Sequence, residues 1–295
     1  MPNYRTHSIH GEIILKDIDT NIEINKNDLK SFCIGPDALI TTDYRVFDYQ
    51  HANKVKEYFE TMIKSFKKNK LYNDSESMAF LYGQIDHYVL DVVMHPLIYY
   101  VTENMEAKHK FKPHGLIENW IDDYIIKKYG KDKLIYYRKF FLSNKKLKDS
   151  INKLYEKVYN SHHESLKYSL GILNTSLYDL LVRRNMIGIA PIIIKLSNMG
   201  NIMYKKDIDR VIPYLNLDND IWNNPETGEK YKDSFDDLWI KSIEDSLQTI
   251  DDINNYLYRD KPLNNNFITN DISFNTGRPC SEGQHLTYVK KYKKM

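Results

Sequence analysis

Residues 83–96 read Gly83-Gln84-Ile85-Asp86-His87-Tyr88-Val89-Leu90-Asp91-Val92-Val93-Met94-His95-Pro96. They form the centre of an apolar stretch, 79–100, which predicts a buried helix. His87, Asp91 and His95 recur at intervals of four, so on a helix they occupy neighbouring turns of one face, drifting about 40° per step. Burying an imidazole or a carboxylate without a partner is costly. Each of the three therefore either has a hydrogen-bonding partner or shares bound cations.

The second explanation gains weight because complementary residues lie nearby in the chain. His114 and Glu118 form an H-x-x-x-E pair after Pro113. Proline suits the first turn of a helix, so both side chains are expected to project from one helix face. Asp37 follows the turn-forming sequence Ile34-Gly35-Pro36, which can hold a carboxylate rigidly outside regular structure.

Two further histidines complete the candidate set. We expect His7 to follow a helix cap at Thr6. We expect His51 to begin a helix whose apolar positions are Val55, Phe59, Met62 and Phe66. Nitrogen and oxygen ligands without cysteine fit zinc in hydrolytic sites, which commonly leave one position open for water.

The spacing on the central helix indicates more than one cation. Residues eight apart are separated by roughly 12 Å along a helix axis, whereas zinc–ligand bonds measure about 2 Å. One ion therefore cannot contact both His87 and His95, although Asp91 can lean toward an ion near His87. Pro96 disfavours helical geometry at the residue before it, so we also expect the helix to bend or stop at His95.

In their order along the chain, these residues resemble the zinc-dependent phospholipase C family, whose relatives include single-strand nucleases with a similar trinuclear zinc site. Similar segments also occur at 215–217, 224–229 and 276–280. The resemblance implies a compact all-α, multi-helix domain with a clustered zinc site of two or three ions. One zinc would be held by Asp37, His51, His87 and Asp91; Asp91 would bridge to a second held by His7; the third would be held by His95, His114 and Glu118.

The resemblance also implies a mechanism. The two ions bridged by Asp91 would flank a water molecule, and zinc lowers the pKa of such a water toward about 7, so that it can attack phosphorus. The ions would neutralise charge on the phosphate in the transition state. Asp37 would additionally act as the catalytic base that orients or deprotonates the water. Secreted members use their exposed amino terminus as a ligand, a role open here to the amine of Pro2 if Met1 is removed.

The composition of the chain limits the cellular compartment and the binding partners that we expect for it. The chain has 295 residues, 42% hydrophobic and 28% charged, which is ordinary for a globular protein. A net charge of +2 provides no field strong enough to predict stable nucleic-acid binding. The segment Met1-Pro2-Asn3-Tyr4 does not resemble a secretory signal, and Cys33 and Cys280 are too few for a disulfide framework. We therefore expect a cytoplasmic protein without a transmembrane segment, for which peripheral membrane contact stays open.

The rest of the chain predicts further helices and a tail. The helical patterns cover 134–141, 151–159, 165–181, 187–196 and 235–258. These features predict an all-helical domain over 1–258, followed by an irregular basic C-terminal tail over 259–295. The tail ends in Lys290-Lys291-Tyr292-Lys293-Lys294, which we expect to be solvated.

The leading functional hypothesis is a zinc-dependent phosphodiester hydrolase that acts on a phospholipid or on a related soluble diester. Two alternatives remain. A nuclease-like phosphodiesterase requires aromatic platforms and basic grooves beside the metals, and no linear cluster of that kind is visible. A non-catalytic helical interaction protein stabilised by metal would retain the ligands without turnover. A histidine–aspartate phosphohydrolase is disfavoured because the adjacent pair runs Asp86-His87, in reverse order.

Overall fold

The computed structural model describes residues 4–105, 113–129, 140–183 and 208–291. Within these ranges helices dominate and there is almost no strand, which confirms the predicted all-α class. The helices are α1 (Tyr4–Ile14), α2 (Lys26–Phe32), α3 (Tyr44–Ala52), α4 (Val55–Lys68), α5 (Ser75–Thr102), α6 (Pro113–Lys128), α7 (Lys145–Tyr159), α8 (Glu164–Arg183), α9 (Phe235–Arg259) and α10 (Asn266–Thr269). Short 3-10 helices span Gly35–Thr41, Leu71–Asn73, Ile208–Arg210, Ile212–Tyr214 and Cys280–Glu282.

Extended structure among the described residues is confined to one small antiparallel pair and one bridge. Strand β1 (Trp222–Asn223) pairs with β2 (Lys230–Tyr231), with Trp222 opposite Tyr231. An isolated bridge joins Ile272 to Pro279 in the C-terminal segment. None of the described helices combines the length and apolar character needed to cross a membrane.

Helix α5 forms the centre of the molecule. It begins after Asp74, whose side chain accepts a hydrogen bond from the backbone N–H of Ser77 and so caps the first turn. Helices α2 and α9 pack along it, and α1 and α6 also contact it. Because neighbours cover it on several sides, nearly all of its side chains are buried, including His87, Asp91 and His95. Its polar groups therefore face other protein groups instead of water.

Of the two expected outcomes at His95, a bend or a stop, the stop is wrong, because α5 continues through Pro96 to Thr102. Proline removes the N–H that would bond to the carbonyl four residues earlier, here Val92. The structure places the backbone of Gly277 beside that carbonyl, close enough that a Cβ on Gly277 would lie 3.0 Å from its oxygen. Tertiary packing on both sides of the proline outweighs the local preference for ending the helix.

The later helices follow the predicted pattern where they are described. Helix α7 starts six residues before the predicted 151–159, because Asn144 caps it through Lys146 and Leu147. Helix α9 begins with a capping box formed by Ser234 and Asp237. The predicted helix 187–196 lies outside the described residues, as does most of 134–141.

The C-terminal segment contributes to the core. Ile268 and Phe274 are fully or almost fully buried, and the hydroxyl of Tyr88 donates to the carbonyls of Phe267 and Ile272. Part of the segment predicted as a tail therefore packs directly on α5. The division of the chain at residue 258 stays a prediction.

Candidate metal centre

The structure brings all eight predicted ligands together in three neighbouring groups. In each group the candidate ligand atoms lie within 4.8 Å of one another. His87 belongs to two groups, so the first two share a side chain. The groups are His7, His87 and Asp91; Asp37, His51 and His87; and His95, His114 and Glu118.

Five separate elements supply these residues. Helix α1 carries His7, and the 3-10 helix at 35–41 carries Asp37. The central helix α5 supplies three ligands and α6 supplies His114 and Glu118. His51 comes from α3, where it lies in the last turn. The expectation that His51 begins a helix is therefore wrong, since the next helix starts only at Val55.

Thr6 also differs from its predicted role. Helix α1 begins at Tyr4, so Thr6 lies inside the helix and is not its cap. Its backbone N–H and its hydroxyl both donate to Oδ1 of Asp122, at 2.9 and 2.7 Å. This contact connects the turn that carries His7 to α6, the helix that carries His114 and Glu118.

Asp91 is the geometric link between two histidines. Its Oδ2 lies 3.1 Å from Nε2 of His87, and its Oδ1 lies 3.3 Å from Nε2 of His7. The two imidazole rings are stacked, with centroids 3.9 Å apart. Each carboxylate oxygen thus faces a different histidine, which is the arrangement that a carboxylate bridging two cations requires.

Asp37 and His51 form the second group around the other side of His87. Oδ1 of Asp37 lies 3.3 Å from Nε2 of His51 and 3.8 Å from Nε2 of His87. Asp37 reaches this position because Pro36 and Gly35 start a tight 3-10 turn whose backbone approaches the His87 ring. The sequence Gly-Pro-Asp therefore fixes the carboxylate, as its turn-forming character predicts.

Gly35→Ala is expected to disrupt this approach. Gly35 has a φ of +58°, and a Cβ on it would lie 2.2 Å from Cγ of His87. Left-handed backbone costs a non-glycine residue about 1–2 kcal/mol, and overpacking typically adds about 1–3 kcal/mol. Urea unfolding should show a free energy of unfolding lower by roughly 2–5 kcal/mol, the sum of those two terms, together with weaker zinc binding.

Gly283→Ala serves as the control for that variant. Gly283 has a φ of +68°, but the nearest atom to its added Cβ would be Nε2 of His285 at 3.5 Å. Only the conformational cost of about 1–2 kcal/mol should remain there. Equal losses in the two variants would contradict a specific contact between Gly35 and the His87 ring.

The third group lies one to two turns further along α5. Nε2 of His114 lies 2.8 Å from Oε1 of Glu118 on α6, and the rings of His95 and His114 have centroids 5.6 Å apart. Tyr99 packs against His114 with ring centroids 4.6 Å apart. His87 and His95 therefore lie in different groups, as the helical rise requires.

Main-chain carbonyls fix the orientation of three of the histidines. Nδ1–H of His51 donates to the carbonyl of Phe47 at 2.6 Å, and Nδ1–H of His87 donates to the carbonyl of Cys33 at 3.1 Å. Nδ1–H of His95 donates to the carbonyl of Phe274 at 2.5 Å. A carbonyl only accepts, so the proton of each neutral ring stays on Nδ1. Nε2 is then left as the electron-pair donor, which is the usual arrangement in histidine ligands.

The pKa directions favour the metal-binding protonation states of His7, His95 and Asp91, whereas the raised pKa of His87 favours its protonated form. Burial and the neighbouring His87 lower the pKa of His7, and burial lowers the pKa of His95 to about 3. Burial alone would raise the pKa of Asp91, but His87 and His95 hold it well below its usual range. Burial disfavours a charged His87, yet Asp91 and Asp37 raise its pKa. A cation at this position would replace the proton on His87, because metal binding releases protons from ligands.

The residues fit zinc in chemistry and in spacing. Two ligands of a tetrahedral zinc with bonds of about 2.0–2.1 Å lie roughly 3.3 Å apart, and the four nitrogen–oxygen separations around Asp91 and Asp37 run from 3.1 to 3.8 Å. Buried polar atoms normally have hydrogen-bond partners. Among the first two groups and His95, the buried atoms without one are both ring nitrogens of His7, Nε2 of His51, His87 and His95, Oδ1 of Asp37 and both carboxylate oxygens of Asp91.

His10 and Asp86 provide a contrast within the same region. Nδ1 of His10 lies 2.6 Å from Oδ1 of Asp86, and its Nε2 lies 2.9 Å from the hydroxyl of Ser242. Both ring nitrogens of this buried histidine therefore have protein partners. His10, one turn after His7, is therefore held by protein contacts at both ring nitrogens and lies outside the three groups.

Comparison with protein-family models matches residues 6–165 to the family described as zinc dependent phospholipase C. The match covers more than half of the chain and includes every residue of the three groups, so the chain belongs to the zinc-dependent phospholipase C family. Membership indicates, in general terms, a zinc-dependent hydrolase of the phospholipase C type. Comparisons with curated proteins and with solved structures gave no match.

Proposed function

We propose that this protein is a zinc-dependent phosphodiester hydrolase that cleaves the glycerol-side ester bond of a phospholipid or of a related soluble diester. The observation that carries the proposal is the position of Asp91, whose two oxygens face His7 and His87 separately at 3.3 and 3.1 Å. Family membership supports the same chemistry. One zinc would be held by Asp37, His51, His87 and Asp91, and Asp91 would bridge to a second zinc held by His7. The third zinc would be held by His95, His114 and Glu118.

Zinc bound at these groups would supply positive charge for the phosphate oxygens and acidify water. The protein's contribution is to hold its ligands fixed before substrate arrives. Carbonyl contacts orient His51, His87 and His95. The stacked rings of His7 and His87 each place Nε2 beside one oxygen of Asp91. Such preorganisation avoids reorganisation during the reaction.

Asp37 would have two roles in this proposal. Its Oδ1 lies 3.3 Å from Nε2 of His51 and 3.8 Å from Nε2 of His87. These are separations between ligands of one cation, so Asp37 would complete a cation site with the two histidines. As a carboxylate at the edge of that site, it would also orient the attacking water and accept its proton. The second role is separable in experiment, since Asp37→Asn retains an oxygen ligand but loses most of the basicity.

The direct test combines metal analysis with a panel of diester substrates. We expect two or three zinc ions per chain, measured by mass spectrometry of the dialysed protein, and hydrolysis of a chromogenic phosphocholine diester. Phosphatidylcholine vesicles and the soluble diester, assayed in parallel, distinguish a membranous from a soluble substrate. Cleavage of single-stranded DNA alone would favour the nuclease alternative. Full zinc content without turnover of any diester would favour the interaction protein.

A further inference from the structure

We infer that residues 271–280, here called the Phe274 hairpin, are a positioning element that orients proposed ligands in two different groups. This inference rests on the proposed binding of zinc by these groups. The hairpin lies beyond residues 6–165, which the family model matches, and it contains the segment 276–280 that resembles the family. Its position in the chain is thus remote from every residue that it orients.

The hairpin is a defined turn. Ile272 and Pro279 form an antiparallel bridge, and the backbone N–H of Ser273 donates to the carbonyl of Arg278 at 2.8 Å. The N–H of Gly277 donates to the carbonyl of Ser273 at 3.1 Å. These bonds present the main chain of Phe274 to the metal centre in a fixed orientation.

Phe274 contacts two ligands through its own backbone. Its N–H donates to the carbonyl of His51 at 2.9 Å, and its carbonyl accepts from Nδ1–H of His95 at 2.5 Å. The hydroxyl of Ser273 adds a second donor to the same His51 carbonyl at 3.0 Å. The Phe274 ring packs 5.0 Å from the His51 ring. One residue thus connects the second group to the third.

The hairpin is anchored on the helices that surround the centre. The hydroxyl of Tyr88 on α5 donates to the carbonyl of Ile272 at 2.9 Å. The backbone N–H of Lys56 at the start of α4 donates to Oδ1 of Asp271 at 2.8 Å. Gly277 lies against the Val92 carbonyl that Pro96 leaves without its helical donor. Moving the hairpin away from α5 would therefore move the acceptor of His95.

The chemical consequence concerns the tautomer of His95. With Nδ1–H held by a carbonyl, Nε2 is free to bind a cation; without that acceptor, the ring can rotate or protonate at the other nitrogen. Removing such a supporting contact typically lowers metal affinity by about 10–100-fold. The hairpin is thus expected to set zinc affinity at His95 and, more weakly, at His51.

Gly277→Val tests this directly. Gly277 has a φ of +66°, and its Cβ would lie 3.0 Å from the Val92 oxygen, so valine should lift the hairpin from α5. Gly228→Val is the matched control, since Gly228 has a φ of +74° and its Cβ would lie 3.1 Å from the Tyr288 ring. Chelator competition should show zinc affinity about 10–100-fold weaker in Gly277→Val than in Gly228→Val at the weakest-bound ion.

A second pair of variants, which change the protein less, tests the inference if Gly277→Val does not fold. Tyr88→Phe removes the hydroxyl that anchors the hairpin, whereas Tyr82→Phe, on the same helix, removes one that donates to Asn254 at 2.8 Å. Tyr88→Phe should weaken zinc affinity severalfold while Tyr82→Phe leaves it unchanged. Equal affinities within each folded pair would overturn the inference. A wild-type chain that binds no zinc would instead overturn the proposed function.

Discussion

Asp91→Asn is expected to abolish diester hydrolysis together with zinc binding at the first two groups. An asparagine presents one neutral oxygen and an N–H₂ group, so it cannot offer an anionic oxygen to each of His7 and His87 as Asp91 does. We expect kcat/KM to fall by roughly 10³-fold or more, comparable with the loss of a principal electrostatic contribution to catalysis. Zinc content should fall by at least one ion per chain.

Asp86→Asn is the matched control for that result. Asp86 lies five residues earlier on α5 and is equally buried, but its carboxylate pairs with His10. Its replacement should lower stability while zinc content stays at the wild-type value. Full activity and full zinc content in Asp91→Asn would contradict both the bridging role and the mechanism.

Removal of zinc is expected to produce the largest change in thermal stability. The buried ligand atoms of the first two groups lack protein hydrogen-bond partners, so a bound cation would satisfy them and favour the folded state. One site at a thousandfold excess of zinc over its Kd contributes about 4 kcal/mol. For a domain of this size class, that corresponds to a fall in Tm on the order of 10 °C for each ion removed.

Calorimetry before and after dialysis against a strong chelator measures this effect. Adding back stoichiometric zinc should restore the original Tm, whereas magnesium should not, since it prefers octahedral oxygen sites. The same chelator saturated with zinc controls for effects of the reagent itself. A Tm that is unchanged after the metal has been removed would show that the three groups are held by protein contacts alone.

The sequence predicts most of this centre because the ligands are side chains with a recognisable spacing. His87, Asp91 and His95 on an apolar helix are costly to bury unless they are satisfied, which makes them visible without a structure. The turn at Gly35-Pro36-Asp37 is also predictable from the sequence, because its conformation depends on neighbouring residues. The all-α class follows from the same periodicity that predicts α5.

Other features were beyond prediction because they depend on long-range packing. The carbonyl of Phe274 has no sequence signature, since every residue carries one. The helical continuation past Pro96 depends on neighbours that cover both sides of α5, which local preference cannot reveal. The sequence pattern places His51 on the wrong helix, because α3 ends at Ala52 and α4 begins only three residues later.

The 179-residue separation between His95 and its carbonyl acceptor has a consequence for biosynthesis. Closing this loop costs conformational entropy, which the packing at both of its ends must offset. While the polypeptide is still emerging from the ribosome, the third group lacks the contact that holds His95 in its ligand tautomer. Tight metal loading at the third group is therefore expected only after Phe274 has emerged from the ribosome.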